Sequence, residues 1–118
     1  RSGSFSTSSG YEMMNQLLND NGKQLPTFLF AENDAIAIGA LRALQEADIA
    51  VPDQISIVGF NDSKVAKYVY PPLSSIRVDT REMGRTGVSL LLDRIAYPRK
   101  ISKKISLSTE WIKRASTK

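Results

Sequence analysis

The sequence predicts an α/β fold with a mainly parallel sheet flanked by helices. Short apolar runs bounded by Pro, Gly, Asn and Asp alternate along it with longer stretches whose apolar residues recur at helical spacing. The links between them are short, as strand–helix–strand units require. Phe28, Phe30, Ile57 and Val58 lie in near-continuous apolar runs, which need cover on both faces of a sheet.

The elements follow in order. Residues 1–9 are rich in Ser, Thr and Gly and read as a loop, with Ser8 or Ser9 placed to cap a helix over about 10–20. Tyr11, Met14, Leu17 and Leu18 form its apolar face, and Asn19-Asp20-Asn21-Gly22 stops it. Phe28 to Ala31, opened by Pro26, is too short for a helix and reads as a buried strand. Asn33 or Asp34 caps a second helix, in which Ile36, Ile38, Leu41 and Leu44 lie among alanines until Asp48. Gly39 sits inside it at some cost, and close packing against a neighbour would be the reason.

Pro52-Asp53 turns the chain into a second strand, Ile55 to Phe60, followed by Asn61-Asp62. A weaker helical turn over 63–69 stops at Pro71-Pro72. Ser74 to Val78 reads as a third strand. Thr80 is placed to cap a long helix to about Tyr97, whose core-facing row is Met83, Val88, Leu91, Leu92 and Ile95. Ile105 to Ile112 alternates in part and reads as a last strand carrying Trp111. Three or four short strands make a thin sheet, so the chain reads as part of a domain that associates to cover its apolar faces.

Composition removes several kinds of chemistry. The 118 residues include no cysteine and no histidine. Disulfides and thiol catalysis are therefore excluded, and Ser-His-Asp triads, imidazole acid–base work and the usual zinc sites lose their central part. Nothing calls for a cofactor. There is no apolar run long enough to span a membrane, and no apolar signal-like segment follows Arg1-Ser2-Gly3-Ser4. The net charge of +4 invites a nucleic-acid reading, but its distribution argues against one. The cations bunch at Arg99, Lys100, Lys103 and Lys104 and again at Lys113, Arg114 and Lys118, which reads as a solvated loop and tail.

Two strand ends carry one signature, Glu32-Asn33-Asp34 and Asn61-Asp62. In open α/β sheets, ligands bind outside the carboxyl ends of the strands. There an amide that donates and accepts, beside a carboxylate that accepts twice, suits vicinal hydroxyls. The same residues also serve as helix caps and turn formers, and one side chain can do both. Asp34, Asp62 and Asp79 offer carboxylates to Mg²⁺, but neither a neighbouring lysine nor a Gly-rich loop accompanies them. Phe5, in a polar loop, is either a platform on which a sugar face stacks or an anchor in the core.

Three strings resemble one family in order and spacing. Pro26 to Leu41 (PTFLFAENDAIAIGAL) is similar to its PTAIFAANDxxAxGAL, and Val51 to Asp62 (VPDQISIVGFND) to its VPxDISIVGFDD. Tyr70 to Ile76 (YPPLSSI) is similar to its xPPLTTI, followed by an ExG helix at Glu82-Met83-Gly84. The family is that of the lactose and galactose repressors, and the resemblance is nearest to the galactose type. It covers about residues 5 to 115.

The resemblance implies a partial periplasmic-binding-protein-like (type I) domain, with 1–118 as the C-terminal portion of an effector-binding and dimerisation domain. The helix-turn-helix headpiece and the first half of the sensor would lie upstream. It further implies a cytoplasmic, non-enzymatic repressor that binds a sugar or sugar phosphate between two lobes and acts as a homodimer or higher oligomer. It would reach operator DNA through the headpiece and would not engage a membrane. By motif match, Phe5, Asn33 and Asn61 fall at ligand-contacting positions. Ile38, Leu41, Arg42, Gln45, Val69 and Tyr70 fall at the dimer contact, where an apolar stripe could equally serve the core. Two departures stand out. Asn61 replaces an aspartate and so removes a charge, and Val78 stands where some members carry a polar contact. The arginine that the family usually supplies from upstream is not replaced by Arg1.

Overall fold

The computed structural model describes residues 4–21, 24–98 and 101–118. These form two units. One comprises the chain up to Arg77 together with Glu110–Lys118, and the other is Val78–Thr109. Gly22, Arg99 and Lys100, named above as a helix stop and as part of a basic cluster, lie outside the described residues, as does Arg1.

In the first unit, four strands lie in sequence order: β1 (Phe28–Phe30), β2 (Ser56–Phe60), β3 (Ser74–Arg77) and β4 (Glu110–Ile112). The first three are parallel, and β4 returns antiparallel beside β3, with Trp111 opposite Ile76. The mainly parallel sheet matches the expectation. The last strand is shorter than predicted, because only residues 110–112 meet a partner.

Helices α1 (Thr7–Asn21) and α2 (Asp34–Glu46) pack on each other. Their contact explains Gly39. A Cβ there would fall 2.0 Å from the Thr7 carbonyl oxygen, and one on Gly10 would fall 2.2 Å from the Ile36 carbonyl oxygen. The two backbones meet at these glycines. Around this contact lie Met14, Ala37, Ala40, Leu41, Leu44, Ile55, Ile57 and Leu73, all buried. Small alanines on α2 let the leucines seat deeply, and each fully buried Leu or Ile stabilises the fold by about 1.5–3 kcal/mol.

Local chemistry sets the helix ends. Ser6, rather than Ser8 or Ser9, caps α1: its hydroxyl accepts from the Ser9 N–H at 3.2 Å, since the helix begins earlier than the apolar spacing indicates. Asn33 caps α2, its side-chain oxygen accepting from the Ile36 N–H at 2.7 Å. That helix ends in a Schellman motif. The Ile49 N–H reaches the Leu44 carbonyl, the Asp48 N–H reaches that of Gln45, and Asp48 stands at φ 54°. Residues 64–68 form turns rather than a helix, cut short before Pro71-Pro72.

The second unit holds α3 (Thr80–Ala96). Asp79, not Thr80, is its cap, because the Asp79 carboxylate accepts from the Glu82 N–H at 2.8 Å. Lys103 pairs with Asp93 at 3.2 Å and draws the following segment against one helix face. An open cleft of about 430 Å³ results, between Glu82, Arg85, Ser89 and Asp93 on the helix and Lys103 and Ile105 opposite.

The row expected to face a core does not do so. Met83, Val88, Leu91, Leu92 and Ile95 are all more than half exposed, and α3 buries no residue. The spacing is amphipathic as read, but within this unit no layer stands over that face. Ile105 and Leu107 likewise belong to no strand and are exposed. Alternation becomes a strand only beside another strand.

The basic C-terminus also departs from the solvated tail expected. Ser116 is fully buried. Its hydroxyl donates to the Ile57 carbonyl at 2.6 Å and accepts from the Ser74 N–H at 2.8 Å, so the tail is laced between β2 and β3. Lys118 donates to the Asp53 carbonyl at 2.9 Å.

Candidate functional site

Parallel pairing sets Phe30 opposite Val58. Asn33 and Asn61, each three residues further on, therefore leave the sheet at the same carboxyl edge. Asn33 spends its oxygen on the α2 cap and turns its amide towards the Phe5 carbonyl at 3.5 Å. Phe5 is 70% exposed, so its ring anchors no core among the described residues. The three residues expected to contact a ligand thus comprise a contacting pair, Phe5 and Asn33, and an exposed Asn61 on the neighbouring strand end.

Asn61 and Asp62 both adopt positive φ, 92° and 50°. Such backbone costs a non-glycine residue about 1 kcal/mol or more, and it persists only where its surroundings hold it. Three consecutive N–H groups are held here. That of Asn61 donates to the Ile76 carbonyl at 2.8 Å, and that of Asp62 to the Ser75 hydroxyl at 3.0 Å. The Ser63 N–H donates to Asp34 Oδ2 at 2.5 Å. The turn is rigid and leaves the Asn61 side chain outward.

Asp34 is the hub behind this turn. It is 2% exposed, and its Oδ1 accepts from the Ser75 hydroxyl at 2.6 Å while Oδ2 holds Ser63. Gly59 makes room for it: a Cβ there would lie 2.2 Å from Asp34 Oδ1. Asp62 faces the other way, between Arg114 at 2.6 Å and Arg77 at 2.7 Å, and Arg77 continues to Glu110 at 2.9 Å. Burial opposes ionisation of Asp62, but the Arg114 and Arg77 guanidiniums outweigh it and hold its carboxyl below the usual aspartate range. The aspartates offered to Mg²⁺ are thus each committed elsewhere: Asp34 to the turn, Asp62 to two arginines and Asp79 to a helix cap. No cluster of three metal-ligating side chains occurs among the described residues.

The sequence reading missed Ser75, Arg77 and Arg114. Ser74-Ser75 inside an apolar strand was a usable signal, since a buried hydroxyl needs a partner. Arg114, read as tail, carried none.

On the far side of α2, Ile38, Leu41, Arg42, Gln45, Val69 and Tyr70 line one shallow cleft of about 230 Å³, and Gln45 donates to the Tyr70 carbonyl. Leu41 is buried and serves the core, whereas Tyr70 is 83% exposed. Arg42 pairs with Glu46 at 2.9 Å and sits over the Tyr11 ring.

Residues 1–117 match the periplasmic binding protein-like domain family. The chain belongs to that family. Its relatives in it are transcriptional regulators. It is 50% identical to the HTH-type transcriptional regulator GalR of Streptococcus thermophilus and 39% identical to GanR of Bacillus subtilis, over 98% and 95% of its length. It spans only about a third of those relatives, 35% and 34%. Among solved structures, the Lac repressor bound to ONPG in the repressed state superposes with a TM-score of 0.88 at 33% identity, over 98% of this chain and 34% of that one. The CelR–cellobiose complex gives 0.86 at 33% identity, over 97% and 34%. A ribose-bound LacI-family regulator from Enterococcus faecium gives 0.79 at 36% identity, over 96% and 41%. The family expectation for the fold therefore holds, with the effector-binding domains of LacI-family regulators as its neighbours.

Proposed function

We propose that this chain is the C-terminal part of the effector-sensing and dimerisation domain of a cytoplasmic repressor that controls a carbohydrate-utilisation operon. The observation that carries the reading is the rigid carboxyl edge of the sheet. It presents the exposed Asn61 side chain on a backbone fixed by three hydrogen bonds, beside Asn33 and the exposed ring of Phe5. Such an edge suits a polyhydroxylated ligand: amides bond its hydroxyls and the ring packs on its C–H face. Relatives named as regulators, and neighbours solved with ribose and cellobiose, support a sugar or sugar phosphate as effector.

In this reading the rest of the sensor and a DNA-binding headpiece precede the chain. The cleft along α2 meets its counterpart in a second copy, as the Lac repressor dimer bound to operator supports by analogy. Effector changes DNA affinity only by binding the two arrangements of the dimer unequally. No catalytic step is assigned to the site. A sugar-binding protein of a transport system would share the fold, but the relatives favour the repressor.

A thermal-shift panel on the full-length protein tests this, with galactose, lactose, glucose, their phosphates and pentoses. A ligand that binds only the native state raises the melting temperature. The expected result is a clear rise with one sugar, lost in Asn33→Ala. No rise with any of them would leave the fold standing and remove the sugar.

A further inference from the structure

We infer that Asp34 is a positioning residue for effector binding, acting through Asn61 without touching the ligand. The inference rests on the proposal that Asn61 contacts a sugar. Asp34 is 2% exposed and so closed to a ligand, yet it lies directly behind the turn that carries Asn61. Its two oxygens take two different donors. Oδ2 accepts the Ser63 N–H at 2.5 Å, fixing the far end of the Asn61-Asp62-Ser63 turn. Oδ1 accepts the Ser75 hydroxyl at 2.6 Å, and that commits the hydroxyl's oxygen lone pairs to the Asp62 N–H at 3.0 Å.

One carboxylate therefore orients two of the three backbone donors in the turn, one directly and one through Ser75. Only a group that accepts at both oxygens does this. An asparagine would set its NH₂ against the Ser63 N–H, donor facing donor, or else against Ser75, whose hydroxyl would then accept and lose the carboxylate that fixes its lone pairs towards the Asp62 N–H. Asn61 at φ 92° would then be free to relax, and its side chain would leave the geometry in which it meets a hydroxyl. The same residue opens α2 next to Asn33, so Asp34 ties the two ligand-facing strand ends together through one buried group.

The test is a double-mutant cycle in the full-length protein, with Asp34→Asn and Asn61→Ala alone and combined. Affinity is titrated calorimetrically with whichever of galactose, lactose, cellobiose and ribose shifts the wild type most. The expected result is a loss of about tenfold or more for Asp34→Asn, with little added loss once Asn61 is alanine, because both act through one contact. A residue with a merely structural role would leave the affinity of the folded protein unchanged, or its loss would multiply with that of Asn61→Ala, and either result overturns the inference. Should Asp34→Asn fail to fold, Ser75→Ala carries the same cycle, since it removes the relay without placing an amide in the core. A wild type that binds none of the four sugars overturns the sugar reading itself. A wild type that binds, with Asp34→Asn and Ser75→Ala binding equally well, overturns only the role of Asp34.

Discussion

Helices α2 and α3 carry similar apolar rows and end in opposite states. On α2, Leu41 and Leu44 are buried against the sheet and α1, whereas on α3 Leu91 and Leu92 are more than half exposed. Hydrophobic spacing tells which face of a helix seeks a partner. It does not tell whether the partner lies in the same unit. Each helix has a strand before it and a strand after it in the chain, but α2 packs on β2 and on a second helix, whereas among the described residues of its own unit α3 is met by the segment around Lys103.

Truncation makes the sharpest contrast between the two helices. Leu44→Ala should destabilise the chain by about 2–5 kcal/mol, as a cavity-forming change in a closed core does. Leu91→Ala should stay within about 0.5 kcal/mol in the same urea titration. A comparable loss at Leu91 would mean that its face is covered in solution and would break the comparison.

The glycines sharpen the contrast further, with opposite signs expected. Gly39→Ala drives a methyl group to 2.0 Å from the Thr7 carbonyl oxygen, where backbone must move, and should cost about 1–3 kcal/mol. Gly84→Ala meets nothing within 4 Å and should stabilise α3 by about 0.5–1 kcal/mol. Melting temperatures of the two variants should move in opposite directions.

Acid titration separates the ion network of the first unit from the rest. The folded carboxyl of Asp62 titrates below its unfolded value. Its contribution is therefore fully present above the ordinary aspartate pKa and is lost as pH falls through the lowered value. Asp62→Asn should flatten that part of the stability–pH curve. An unchanged acid limb would show that Arg77 and Arg114 do not favour the charged form. The smallest effect expected is at the end of α2. Asp48 occupies the left-handed position at φ 54°, and Asp48→Gly should gain a few tenths of a kcal/mol in thermal melts.

Much of the fold was legible because the informative signals are local. Asn33 announced a cap, Gly39 a close approach, and the apolar runs at 28–31 and 55–60 a parallel sheet, each found where spacing placed it. The run at 28–31 is not the buried strand it reads as: β1 is an edge strand, and Phe28 and Phe30, which alternate with Leu29 onto the other sheet face, are 53% and 49% exposed. The candidate site was legible only in part. Asn33 and Asn61 stood out as polar residues at strand ends, whereas the carboxylate behind them resembled any helix-opening aspartate. The cap of α3 was misplaced by one residue and that of α1 by two or three, since several neighbouring Ser, Thr and Asp side chains can serve and backbone geometry selects among them.

The sequence by itself determined the order of elements, the face each helix presents and the family to which the chain belongs. These depend on residue type and spacing, which chain neighbours settle. Only the tertiary structure decided that Asp34 is a buried clamp, that Arg114 leaves the tail to pair with Asp62 and that Ser116 is laced into the sheet. Those bonds join residues 29 to 59 positions apart. Packing alone brings such partners within reach, and a buried polar group then bonds to whatever stands there.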